Sequence, residues 1–108
     1  MYYARLVKYK LEAGQRSVAE KLTREFDSAS RKLSGFRGNV YFFDDSAGEY
    51  RALNYWDTKE DAERAHAQLY PILMEKLQSF TKKKPSFKFF EVFDACDDGE
   101  LISSHIKI

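Results

Sequence analysis

The chain has 108 residues, 44% of them hydrophobic and 16% aromatic, with 18 basic against 17 acidic side chains and a net charge of +1. That length suits a single domain able to bury roughly two-thirds of its unfolded surface. The charge balance argues against a general phosphate-binding surface, and the single cysteine, Cys96, excludes an internal disulfide and any multi-thiolate metal site.

Tyr2 to Leu11 is dense in Tyr, Leu and Val and predicts a first strand, closed by Gly14. Ser17-Val18-Ala19-Glu20 has the form of a capping box. Val18, Leu22, Phe26, Ala29 and Leu33 then recur at helical spacing, and Gly35 suits the left-handed position past the helix end. Val40 to Phe43 predicts a short aromatic strand, 44–48 a turn, and Tyr50 to Trp56 the second arm of a hairpin. Thr58 to Asp61 predicts a second helix cap, followed by a stripe of Ala62, Ala65, Leu69, Leu73, Leu77 and Phe80. Pro71 predicts a kink in this helix, or its division into two. Lys82 to Lys84 falls in a solvated loop, and Phe87 to Phe93 predicts a fourth strand. The tail 95–108 holds a turn and, from Leu101, alternating isoleucines that suit a short fifth strand at a sheet edge or dimer interface.

The order strand, helix, strand, strand, helix, strand is that of a ferredoxin-like βαββαβ fold, α+β in class, with two helices on one face of an antiparallel sheet. Residues 1–94 form this domain and 95–108 an extension. The strands carry large apolar groups on both faces: Phe87 and Phe89 oppose Phe90 and Val92, and Tyr3 and Val7 oppose Ala4 and Leu6. Two helices cover only one face. A two-fold homodimer that packs sheet against sheet would bury the other.

The run Gly35-Phe36-Arg37-Gly38, the aromatic strand and turn after it, and Tyr55-Trp56-Asp57-Thr58-Lys59-Glu60-Asp61-Ala62 resemble the antibiotic-biosynthesis-monooxygenase-like family of the dimeric α+β barrel superfamily. The resemblance covers about residues 1–94. It implies a dimer and a ligand cavity between sheet and helices in each subunit. Members of that family include cofactor-free oxygenases of polycyclic phenols and quinols, haem-degrading enzymes, and proteins without a known activity. The haem-degrading members' first-strand Asn and second-helix Trp have no counterpart here. Ala4, Arg5, Leu6 and Val7 occupy the strand and Ala65 the helix position, so no cofactor is expected.

Asn54 and Trp56 share one strand face, and His66 lies beside the apolar stripe of the second helix, so all three are candidates for one pocket. His66 could take the proton of a phenol or quinol, Asn54 could bond the oxyanion that forms, and Trp56 could wall the ring from water. Arg5, Tyr55 and Tyr70 are candidates for orienting the ligand. The same residues also fit a core tryptophan, a backbone-satisfying asparagine and a boundary histidine, in which case the protein is a non-catalytic ligand-binding or structural dimer. RNA-recognition motifs share the element order, but their aromatic signature belongs on the third strand, here Tyr50 to Trp56, and the near-zero charge disfavours that mode. No metal-ligand spacing joins His66, Cys96 or His105. The start MYYARLVKYK lacks a signal-type apolar run and no stretch suits a bilayer, so a cytoplasmic protein with neither nucleic-acid nor membrane partner is expected.

Overall fold

The computed structural model describes residues 2–93. Its elements run β1 (Tyr3–Lys10), α1 (Arg16–Ser30), β2 (Phe36–Asp44), β3 (Glu49–Trp56), α2 (Lys59–Leu77) and β4 (Ser86–Glu91). The four strands form one antiparallel sheet in the order β2-β3-β1-β4, the ferredoxin-like α+β arrangement expected. The expected C-terminal strand and the 95–108 extension lie outside the described residues. None of the helices described is long and apolar enough to cross a membrane.

Register decides which side chains share a layer. Across β4, β1, β3 and β2, one row sets Glu91, Tyr3, Trp56 and Phe36 side by side. The next row on the same face sets Phe89, Arg5, Asn54 and Asn39 together, and the third Phe87, Val7, Ala52 and Tyr41. The helices pack on this face and bury two apolar clusters. One gathers Val7, Tyr9, Leu11, Ala19, Leu22, Tyr50, Leu73 and Leu77. The other gathers Trp56, Ala62, Ala65 and Leu69, with Phe36 and Phe89 against it. The polar row Arg5-Asn54-Asn39 runs between them.

The local chemistry explains most element ends. Thr58 caps α2, its Oγ1 accepting from the Asp61 amide at 3.1 Å, and Glu60 and Asp61 complement the positive end of the helix dipole. Gly35, at φ +80°, faces the Asp61 side chain so closely that a Cβ would collide with it, so the turn that leads into β2 requires glycine. The 44–48 turn closes the hairpin, and β2 and β3 pair in register from Asp44 and Glu49.

Four expectations are corrected. Ser17 does not cap α1: the helix begins at Arg16 after Gln15, no side chain caps it, and Glu20 instead accepts from Arg16 Nε at 3.1 Å. Strand β2 starts at Phe36, four residues before Val40, because pairing to β3 carries the weak strand formers Gly38 and Asn39 past a bulge at Arg37. Of the kink or division expected at Pro71, the division is excluded: α2 is one element with Pro71 inside it, and that residue is exposed, so the carbonyl it leaves without an amide partner can bond water. Phe80 lies beyond the end of α2 and is 40% exposed, so the buried stripe stops at Leu77.

Among the described residues no helix covers the far side of the sheet. Leu6, Phe42, Leu53, Tyr55, Phe90 and Val92 line a broad shallow concavity there, and Phe42 is half exposed.

Candidate ligand site between sheet and helices

The gap between the sheet and the two helices encloses about 40 Å³, bordered by Arg5, Val7, Tyr9 and Tyr41 from the strands and by Phe26 and Leu69 from the helices, among others. That volume holds a few water molecules rather than an aromatic ring. Its helix-side walls are Leu22, Phe26, Leu69 and Leu73, side chains that can change rotamer, whereas its polar sheet-side floor is fixed by hydrogen bonds.

Those bonds form a chain across three of the four strands, β1, β3 and β2. Arg5 Nε donates to His66 Nδ1 at 2.9 Å, and another guanidinium nitrogen of Arg5 donates to Asn54 Oδ1 at 2.8 Å. Asn54 Nδ2 donates to Asn39 Oδ1 at 3.0 Å. Asn39 Nδ2 donates to the Asp27 carboxylate at 2.8 Å and to Ser30 Oγ at 2.9 Å. Tyr41 also donates to Asp27 at 2.8 Å, and Arg31 closes the far end on the same carboxylate at 2.8 Å. Three strand positions that are register partners thus link α2 to α1.

The electrostatics follow from burial and from these partners. Arg5 is 4% exposed, and among the described residues no carboxylate pairs with it. Burial pulls its pKa down to about 10, which still leaves it charged at neutral pH. Burial, and then the adjacent Arg5 charge, pull His66 down to about 4, so its imidazole is neutral at pH 7. Burial pushes the Asp27 carboxyl up, but the bonds from Arg31, Asn39 and Tyr41 outweigh it and hold the group below its ordinary range. Burial, and then Asp27, push the Tyr41 phenol upward, so it remains a donor.

The six candidates fall at different depths. Arg5 and Asn54 border the cavity. His66 stands behind Arg5, stacked on Tyr70 at 4.6 Å and beside Phe87 at 4.1 Å. Tyr70 stacks on His66 and lies near enough to act electrostatically on Arg5, and its hydroxyl donates to the Pro85 carbonyl. Trp56 shares the face of Asn54 but belongs to the neighbouring apolar cluster, fully buried and edge-on to Phe36 at 5.7 Å. Its indole N–H has no acceptor among the described residues. Tyr55 points to the opposite side of the sheet, where it lines the open face, so the structure separates it from the other five. The base role read for His66 meets an obstacle, since Nδ1 already accepts from Arg5. Sequence reasoning missed Asn39, Asp27, Ser30 and Tyr41. The available signal was parity, because Asn39 and Tyr41 alternate along β2 onto the helix-covered side.

The same layout recurs in solved structures. An antibiotic biosynthesis monooxygenase aligns with a TM-score of 0.67 at 11% identity, over 85% of this chain and 99% of that one. SnoaB, a cofactor-independent oxygenase from Streptomyces nogalater, aligns with a TM-score of 0.70 at 12% identity, over 90% of this chain and 98% of SnoaB. The chain has the fold of the antibiotic-biosynthesis-monooxygenase-like proteins. Rv0793 from Mycobacterium tuberculosis is similar to the same degree, with a TM-score of 0.72 at 11% identity over 90% of this chain and all of that one. No family model and no curated protein sequence matches the chain. At these identities the likeness is one of architecture.

Proposed function

We propose that the protein is a homodimer that binds a small phenolic or quinolic molecule between sheet and helices and oxygenates it without a cofactor. The observation that carries this reading is the cavity itself: its helix side is mostly apolar, with Thr23 and Ser30 the polar exceptions, and two hydrogen-bonding side chains, Arg5 and Asn54, meet at its floor. An aromatic body suits the first and a hydroxyl oxygen the second. Opening the cavity from 40 Å³ to ring size requires the Leu22, Phe26, Leu69 and Leu73 side chains to part.

The chemistry asked of the site is modest. The hydroxyl of the ligand loses its proton, and Arg5 and Asn54 stabilise the charge left on oxygen. The electron-rich ring gives one electron to dioxygen, and the radical pair joins at a ring carbon as a hydroperoxide. Loss of water leaves a carbonyl there, so one oxygen atom ends in the product and the other in water. Support for this reaction comes from the oxygenase activity of SnoaB, a protein with the same fold.

The dimer is supported by the apolar open face, where Leu6, Phe42, Leu53, Phe90 and Val92 stand together with no helix of the described residues over them. Each such side chain gains about 1.5–3 kcal/mol on full burial. Oxygen uptake with a panel of naphthols and polyphenols tests the activity. The expected product gains one oxygen and loses two hydrogens, and turnover falls in Asn54→Ala with the fold retained. Saturable binding with no oxygen uptake would leave a non-catalytic binding protein.

A further inference from the structure

We propose that the cavity takes its ligand as an oxyanion on an apolar body, with Arg5 as its countercharge and His66 as the residue that aims Arg5. The inference rests on the reading of the cavity as a ligand site and goes further by naming the charge state of what binds there.

A guanidinium carries five N–H donors in a fixed plane. In Arg5 two of them are committed, one to His66 Nδ1 and one to Asn54 Oδ1, and both acceptors are neutral. Among the described residues nothing accepts from the other three, and the side chain borders the cavity while being 4% exposed. Buried arginines are ordinarily paired with a carboxylate, because an uncompensated charge in a weakly polar interior is costly. The carboxylate at the far end of the polar row, Asp27, is separated from Arg5 by Asn39 and Asn54 and is already engaged by Arg31. The positive charge therefore faces the cavity with no carboxylate partner among the described residues. An oxygen bearing a full negative charge offers the free donors what a neutral hydroxyl or ether does not, and its bond to a buried guanidinium is of the stronger, charge-assisted kind.

His66 fits a positioning role. Its Nδ1 is occupied by Arg5, so it neither removes the ligand's proton from that nitrogen nor supplies a charge. It fixes the guanidinium plane, and its own ring is clamped by Tyr70 and Phe87. The ligand's proton then leaves to solvent, and its own acidity, helped by the field of Arg5, sets how much anion is present. Phenols and enols of low pKa fit, and so do carboxylic acids.

The titratable groups around Arg5 are His66 and Tyr70 on α2, Tyr9 on β1 and Tyr41 on β2. Tyr9 and Tyr41 are held in the phenol form by burial, so neither competes as an anion near neutral pH.

Calorimetric titration of the intact protein tests the inference with 4-nitrophenol, its neutral ether 4-nitroanisole, the weaker acid 4-methylphenol, and 4-nitrobenzoate. The expected result is that 4-nitrophenol binds at least about tenfold more tightly than 4-nitroanisole once it is ionised. Its affinity should also follow its own ionisation as pH rises, and Arg5→Met should erase the preference. Should Arg5→Met fail to fold, Asn54→Asp supplies a carboxylate beside Arg5 and is expected to erase it instead. His66→Leu should reduce the ratio of anion to ether affinity several-fold while leaving the ether's affinity in place, and His66→Gln, which keeps an acceptor, should restore the ratio. The order of 4-nitrophenol and 4-nitrobenzoate tells a phenolate site from a carboxylate site. Binding of neutral members with no gain on ionisation, or a preference that survives Arg5→Met, overturns this inference alone. Absence of binding by every member overturns the ligand site and this inference with it.

Discussion

The Arg5 Nε–H donates to His66 Nδ1 at 2.9 Å, and this bond fixes the tautomer of the imidazole. The arginine nitrogen always carries its hydrogen, so Nδ1 must accept and the ring proton resides on Nε2. His66 is therefore expected to stay neutral, as the Nε2–H tautomer, down to about pH 4. Nitrogen-15 NMR of the ring across pH 3.5–8 checks this, and a midpoint near the ordinary histidine value would contradict it. Arg5→Met removes the second cause of the depression and should move the midpoint upward. The stability consequence has a definite sign. The folded pKa lies below the unfolded value, near 6.5, so the unfolded chain binds more protons between these two values. The stability held by neutral His66 is complete above about pH 6.5 and is lost as pH falls toward about 4. Urea unfolding at stepped pH in that window should show a decline that His66→Gln reduces.

Asn54 joins Arg5 to Asn39 by accepting from one and donating to the other. Asn54→Leu keeps the volume and removes both bonds, leaving a buried donor and a buried acceptor unpartnered. A loss of about 2–4 kcal/mol in unfolding free energy is expected by chemical denaturation. A loss below about 1 kcal/mol would mean that the row is reorganised by water.

The sheet face that no described helix covers is expected to be covered by a second copy of the chain. Light scattering of the wild-type protein should give about twice the 12.7 kDa chain mass at micromolar concentration. Phe90→Lys with Leu53→Lys should give single chains, since both residues line that face. A wild-type particle of one chain mass would remove the dimer.

Pro71 sits inside α2 on an exposed position. Proline costs a helix interior about 3 kcal/mol relative to alanine, offset by about 0.4–1 kcal/mol from the stiffer unfolded chain. Pro71→Ala is therefore expected to stabilise the protein by about 2 kcal/mol in urea unfolding. A loss of stability would show that the packing of Leu69 and Leu73 depends on the backbone geometry that proline fixes there.

The architecture was legible because its determinants are local. Strand alternation, the Thr58 cap, and the glycines at 35 and 48 each act within a few residues. The helix-side stripe of α2 was read correctly as far as Leu77. The site was legible only in part, because it joins a local pairing to a distant one. Asn39 meets Asn54 across the hairpin that the 44–48 turn closes, but Arg5 meets Asn54 by the register of β1 on β3, strands more than thirty residues apart. Tyr55 shows the opposite error. It adjoins Trp56 in the chain, yet the two-residue period of a strand sends neighbours to opposite faces, and Tyr55 lines the open side. The Ser17 cap failed for a third reason: the cap position falls at Gln15, two residues too early for the Ser17 side chain to reach the first free amides.

The claim on which the rest depends is that a ligand enters between sheet and helices. Amide chemical-shift mapping during titration with 4-nitrophenol tests it directly. The largest changes are expected at Arg5, Asn54, Tyr41, Phe26 and Leu69, around the cavity. Changes confined to Leu6, Leu53, Tyr55 and Phe90 on the open face, or none at all, would contradict it.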